Sequence, residues 1–293
     1  MPERGLYQEP MVAISDAVPP APLISDLSAF QKGEGLSFAT HLNRGRVEFM
    51  QRHTPGFRER DPRILFLGAH PDDTALAAGA DIVLLNETRI QGHDSGLWVV
   101  TATPGQLGKN ADSSIRILED GFATNILGAD GVHNLGFMDG SLTRDAYDLT
   151  ARIGEVLDEL KPHIVITPAP DDMVHPDHVM IQQATTDALR CSGRNPIVIY
   201  TDFQAGEISP EQGYGRSVGY ALTADENETF IASFDAHVSE MAVQTDDILA
   251  VKSRTSRRSA QLGTKGFAGI VRQDPAFSSE PIEVYLGKKA ISI

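Results

Sequence analysis

The chain of 293 residues contains a single cysteine, Cys191. No intrachain disulfide can form and no thiolate cluster can hold a metal, so a metal site would have to use histidine and carboxylate ligands. Basic residues are scarce beside acidic ones, 25 against 40, for a formal charge of −15. That field repels phosphate backbones and anionic lipid, which argues against nucleic acid or a membrane surface as partner. No apolar run reaches membrane-spanning length, and Met1 to Asp16 lack the basic start and apolar centre of a secretory leader. A cytoplasmic protein without membrane insertion is the expectation. Internal repeats and low-complexity segments are missing too, and the turn Gly68-Ala69-His70 lacks the glycines that a dinucleotide pyrophosphate requires.

What is present is enough apolar material, 41% of the residues, for one sizeable core. Residues 1–60 read as an arm packed on the domain, with a proline cluster at Val18–Pro22 and a short helix near Leu36 to Met50; His41 and Arg44 lie in it, and it either covers the site or makes an oligomer contact. From residue 61 a single enzyme domain is expected, running to residue 293. Its pattern alternates strand-like and helix-like stretches: Ile64–Leu67, Thr74–Leu85, Leu97–Thr103, Ser113–Leu127, Val132–Leu135, Tyr147–Leu160, Ile164–Thr167, Val179–Leu189 and Ile197–Thr201. Strands separated by helices of this length imply parallel βαβ units in an α/β fold, a mainly parallel sheet flanked by helices. Beyond them we expect a sheet-edge strand at Ser217–Leu222, a helix over Phe234–Leu249, and a loop over Phe267–Leu286 that closes with a strand at Ile282–Leu286.

Two short stretches carry the chemistry. Ala69-His70-Pro71-Asp72-Asp73 and His175-Pro176-Asp177-His178 each follow an apolar, β-branched run and precede a helix-like one, which places both at the carboxyl ends of strands. In the first, His70 and Asp73 stand three residues apart across a turn that opens a helix, so both can converge on one point. The second adds His178 from the same sheet edge. Two imidazoles and a carboxylate with an open position for water form the ligand set of catalytic zinc, the default here, and of ferrous iron, which fits the same geometry. Asp72, beside a ligand, is then placed to act as base. His175 is the candidate to stabilise an oxyanion or protonate a departing amine, with Asp177 orienting it and keeping it charged. Plain structural readings stand beside these: Asp72 or Asp73 as cap of the first helix, Asp177 as cap of a helix beginning at His178.

The paired motifs, in this order and about a hundred residues apart, resemble those of the PIG-L (LmbE-like) N-acetylglucosaminyl deacetylases. Leu135-Gly136-Phe137-Met138-Asp139-Gly140 is similar to the family's Leu-Gly-x-x-Asp-Gly segment, Arg116 and Glu119 fall on the preceding helix, and Phe234–Ser239 is a weaker echo of a late helix. The resemblance implies a Rossmann-like fold and a zinc-dependent deacetylase acting on a small amino-sugar conjugate. It repeats the assignment of His70, Asp73 and His178 to the metal, Asp72 to the base and His175 to the electrophile or acid. It adds Arg116 as a contact to sugar hydroxyls and Asp139 as a tuner of the active-site histidine; for Arg116 the plain alternative is an ion pair with Glu119 or Asp120, and for Asp139 a turn before Gly140. The family's usual glutamate after the two aspartates is replaced by Thr74, and we expect the metal ligands to converge regardless.

The leading functional expectation is metal-dependent removal of an acetyl or other acyl group from a glucosamine conjugate. An amidase on a non-sugar or larger conjugate, and a sugar-binding protein without catalysis, are the alternatives. Loops after the strands, Pro104–Asp112, Phe137–Asp145 and Phe203–Gly215, would set the choice of substrate.

Overall fold

Consecutive residues of the central strands are apolar without interruption, and the pleat sends them to opposite faces of one sheet. Ile64 and Phe66 enter one core layer and Leu65 and Leu67 the other; Ile164 and Ile166 oppose Val165, and Ile197 and Ile199 oppose Val198, in the same way. Both faces must therefore be covered, and helices cover them. The computed structural model describes residues 62–87, 96–108, 112–170, 175–201, 216–241, 262–264, 268–286 and 289–292. The expected arm over residues 1–60, with His41 and Arg44, lies outside these, as does the 203–215 loop.

Five parallel strands form the body of the sheet: β1 (Arg63–Gly68), β2 (Gly96–Thr101), β3 (Gly131–Asn134), β4 (Ile164–Pro168) and β5 (Ile197–Thr201). A π-helical turn at Thr74–Ala78 runs into α1 (Gly79–Glu87), followed in chain order by α2 (Ser113–Ile126), α3 (Ala146–Leu160) and α4 (Pro176–Ser192). Helix α1 packs Ile82, Leu84 and Leu85 on one face of the sheet. Helices α3 and α4 pack Leu149, Ile153, Leu157, Ile181 and Leu189 on the other. Each such aliphatic side chain removed from water contributes roughly 1.5–3 kcal/mol, so the two layers dominate the stability of the domain.

The remaining strands, β6 (Arg216–Ala221), β7 (Ala268–Gln273) and β8 (Ile291–Ser292), are antiparallel additions, and the order across the sheet is β3-β2-β1-β4-β5-β7-β6-β8. Because β2 lies on one side of β1 and β4 on the other, the chain reverses its winding between β1 and β4. A crevice opens at the carboxyl ends of such a pair.

Three expectations for the last third are corrected. The strand at 217–222 is flanked on both sides, by β7 and by the two-residue β8, so it is not the edge. The expected helix over 234–249 is replaced by α5 (Ala224–Asp235), which ends where that helix would begin, and a four-residue α6 (Val238–Met241); residues 242–261 lie outside the described ones. Helix α5 starts at a capping box, in which Thr223 Oγ1 accepts from the Glu226 backbone N–H and Glu226 accepts from that of Thr223. The expected closing strand at 282–286 is a helical turn, α7 (Glu283–Leu286), and the strand is β7 instead. Gln273 at the end of β7 decides this: its amide donates to the carbonyls of Ser278 and Glu280 and accepts from Ile282 N–H, curling the following segment around itself.

Candidate metal centre

The turn after β1 is built around the Asp73 carboxylate. Its Oδ2 accepts from the backbone N–H groups of Ala69, at 2.8 Å, and His70, at 2.9 Å, so the chain folds back on its own acidic side chain. Asp73 therefore does not cap the helix that follows, although it occupies the cap position. Its other oxygen, Oδ1, lies 3.2 Å from His178 Nε2, and His70 Nδ1 lies 3.7 Å from Oδ2. Burial pushes the Asp73 carboxyl up, but the charges and hydrogen bonds of His178 and His70 outweigh it and hold its pKa well below the ordinary range.

After β4 the same tripeptide is used differently. Helix α4 begins at Pro176, three residues before the expected start, and His175 is its cap: the ring Nδ1 accepts from Asp177 N–H at 3.2 Å. With Nδ1 an acceptor, the half-buried His175 presents Nε2–H as a donor. Burial, together with the neighbouring His70, pushes its pKa below the ordinary histidine value, so the ring is neutral at pH 7. The Asp177 carboxylate neither caps α4 nor meets the His175 ring. It accepts from Gly140 N–H at 2.7 Å and Leu142 N–H at 3.3 Å, and sits 3.6 Å from His70 Nε2. The expected orienting role toward His175 is thus carried by the Asp177 backbone, while its side chain ties α4 to the loop after β3.

That loop brings in Asp139, whose Oδ1 lies 3.1 Å from His70 Nε2 and whose Oδ2 accepts from Leu107 N–H at 2.9 Å. The histidine that Asp139 meets is accordingly His70 rather than His175. Burial disfavours charge on His70, but hydrogen bonds to Asp139, Asp177 and Asp73 outweigh it and hold its pKa well above the ordinary value. The raised pKa favours a proton on both ring nitrogens; an ion bound at Nδ1 would displace that proton, and the carboxylates on Nε2 would keep the other in place.

His70, Asp73 and His178 bring three ligand atoms within 4.8 Å of one another, and His70, Asp139 and His175 form a second such group that shares His70. Tetrahedral bonds of about 2.0–2.2 Å place neighbouring ligand atoms roughly 3.3–3.5 Å apart, so the 3.2 and 3.7 Å separations around Asp73 fit a divalent ion with little adjustment. In the second group the Asp139 carboxylate is already held by His70 and the Leu107 amide, and His175 Nδ1 by the helix. The first group is the better cradle. Thr74, where the resemblance leads to the expectation of glutamate, is buried with its hydroxyl unpaired and touches neither group by a hydrogen bond.

Asp72 joins neither group and pairs with Arg116 instead. Its Oδ1 lies 2.7 Å from Arg116 Nη2, and the same guanidinium donates through Nη1 to the Gly105 carbonyl and places Nε 3.4 Å from Glu240 Oε1. Arg116, only 4% exposed, meets neither Glu119 nor Asp120, and its donors face protein groups rather than an open pocket. Helix α2 is inverted: Arg116, Glu119 and Asp120 face inward, while Ile115, Leu118 and Phe122 face out. Glu119 accepts from Ser239 N–H at 2.8 Å and Ser239 Oγ at 2.6 Å, which fastens α6 beside the site. Burial first, then Asp72 and Asp73, raise the Asp120 carboxyl well above its ordinary value. Sequence reasoning named Asp120 only as an ion-pair alternative for Arg116, and it missed Glu240.

The PIG-L pattern, described as GlcNAc-PI de-N-acetylase, matches residues 65–189, which span both turns. A 1D-myo-inositol 2-acetamido-2-deoxy-alpha-D-glucopyranoside deacetylase of Mycolicibacterium vanbaalenii is 33% identical over 262 residues, covering 76% of this chain and 90% of the relative. A protein of the same name from Mycobacterium sp. (strain KMS) is 31% identical over 171 residues, covering 46% of this chain; the chain spans 53%, about half, of that relative's length. Among solved structures, a conserved protein of Thermus thermophilus superposes with a TM-score of 0.60 at 20% identity, over 75% of this chain and 97% of that one, and shares the fold. The paired turns, the sheet and the relative matched over 90% of its length agree, and the chain belongs to the PIG-L (LmbE-like) family.

Proposed function

We propose that the protein is a divalent-metal-dependent hydrolase that removes an N-acetyl group from the glucosamine unit of a small conjugate. The observation that carries this reading is the convergence of His70, Asp73 and His178 with Asp72 and His175 flanking them, at the crevice between β1 and β4. The named activity of the mycobacterial relatives supports the substrate class. His70 Nδ1, Asp73 and His178 Nε2 would hold the metal, zinc by default with ferrous iron equally suited in ligand type. When bound, the metal supplies a Lewis acid that lowers the pKa of water and polarises the amide carbonyl.

The remaining steps belong to the chain. Asp72 takes the proton of the attacking water as its oxygen bonds to the carbonyl carbon. His175, neutral and donating through Nε2–H, stabilises the oxyanion, a contribution of a few kcal/mol for a well-aimed donor. Asp72 then returns the proton to nitrogen as the C–N bond breaks, releasing acetate and the free amine. Asp139 and Asp177 keep His70 in the ligating tautomer. A single cysteine, with no intrachain disulfide to form, favours a reducing, cytoplasmic setting.

Acetate release from N-acetylglucosamine, its glycosides and its inositol conjugates, measured on protein stripped of metal and reconstituted with zinc or ferrous iron, tests the reading. Metal-restored release is expected. One tightly bound metal without acetate release from any member would move the assignment to a different amide, and no bound metal would overturn the ligand set.

A further inference from the structure

The environment of Arg116 points beyond a substrate contact. Its guanidinium is enclosed by a loop, an acid from α6 and the turn after β1, and the loop is shaped for it. Gly105 has φ +68, and a Cβ on Gly105 or on Gly108 would collide with the guanidinium. Glu240, 1% exposed, places Oε1 3.4 Å from Arg116 Nε, an ion-pair contact rather than a hydrogen bond, and Arg116 Nη2 puts its charge against Asp72 Oδ1. Glu119, one turn along α2 from Arg116, clamps Ser239, the residue before Glu240. Asp72, Arg116 and Glu240 thus form a buried acid-base-acid line whose far end is pinned by a separate pair of hydrogen bonds. A guanidinium is planar and rigid, so a buried carboxylate that attracts its Nε edge also sets where its Nη2 edge presents the charge.

We propose that Glu240 is a positioning residue for the reaction: through Arg116 it holds the Asp72 carboxylate in place to take the proton. This rests on the assignment of Asp72 as base. Without Glu240 the guanidinium keeps only Asp72 and the Gly105 carbonyl, and it can rotate with the carboxylate it carries. Base catalysis is then impaired, while Asp73, held by the Ala69 and His70 amides, keeps the candidate ligands together.

The test uses the metal-loaded full chain and compares kcat and KM for acetate release, together with metal stoichiometry and melting temperature. Glu240→Gln is expected to lower kcat by about tenfold with KM within about threefold, keeping one metal per chain. Arg116→Ala is expected to lose about 100-fold in kcat and to be rescued by millimolar guanidinium chloride, far below denaturing concentration. In Arg116→Ala/Glu240→Gln the guanidinium concentration for half-rescue should rise by about tenfold. Wild-type kcat in Glu240→Gln, or rescue of the double variant at an unchanged guanidinium concentration, would overturn the proposal. So would loss of metal and of melting temperature in step with activity in both Glu240→Gln and Glu240→Asp, since that pattern marks a purely structural residue. Asp72→Asn is the control: if it turns over at the wild-type rate, the base assignment itself fails, whereas an inactive Asp72→Asn beside a fully active Glu240→Gln removes only the role of Glu240.

Discussion

His70-Pro71-Asp72-Asp73 and His175-Pro176-Asp177-His178 begin with the same three residues and stand at the ends of neighbouring strands, yet the histidine and the middle aspartate do different work in the two. The histidine of the first turn faces the ligand cluster through Nδ1, while that of the second closes its Nδ1 on a helix start. The middle aspartate of the first meets Arg116, and that of the second meets the backbone of 140–142. The fourth residue joins the ligand group in both, as a carboxylate in one and an imidazole in the other. The difference follows from where the helix begins. A π turn starts after the first motif, leaving Asp73 free to fold back on the Ala69 and His70 amides; regular helix starts inside the second, at Pro176, so His175 becomes the cap and His178 is delivered one turn into the helix.

Substitutions separate the two turns. Asp72→Asn removes the carboxylate of the first turn that stays outside the ligand group, and acetate release should fall by about 10²–10⁴-fold with metal content unchanged. Its counterpart in the second turn, His175→Ala, should cost about 10²–10³-fold in kcat through the lost donor, and about 1 kcal/mol of stability through the lost cap, read from denaturant midpoints. Asp139→Asn removes the charge that meets the His70 ring while its amide oxygen can still accept from Leu107 N–H, and zinc affinity by calorimetry should weaken about 10–100-fold.

The smallest effect concerns Asp120, behind the first turn. Its folded pKa is raised, so the stability it contributes is complete below the ordinary carboxyl pKa and is lost as pH rises through the folded value. Asp120→Asn removes that loss. In metal-stripped protein the difference in melting temperature, variant minus wild type, should therefore grow from acid to neutral pH; a flat difference would contradict the raised pKa.

The five parallel strands were legible because runs such as Ile64–Leu67 and Ile164–Ile166 are apolar at every position, a pattern that only a sheet covered on both faces requires. The convergence of His70, Asp73 and His178 as a candidate ligand group was legible because two short motifs carry it. Partners set by long-range folding were not: nothing near Asp72 announces Glu240, which arrives from 168 positions away in sequence and touches it only through Arg116. Helix α5 escaped periodicity because just Phe230 and Phe234 anchor an otherwise polar segment, although Thr223 and Glu226 spell its capping box. Strand β7 escaped because Gly269 breaks a short apolar run that its pairing with β6 makes extended.

The division of roles between the two histidines of the second turn is most directly tested by titrating zinc into metal-stripped His175→Ala and His178→Ala. The geometry around Asp73 predicts that His175→Ala still binds one zinc at close to the wild-type affinity and that His178→Ala loses tight binding. Retention in His178→Ala with loss in His175→Ala would place the ion in the His70, Asp139 and His175 group and contradict the account.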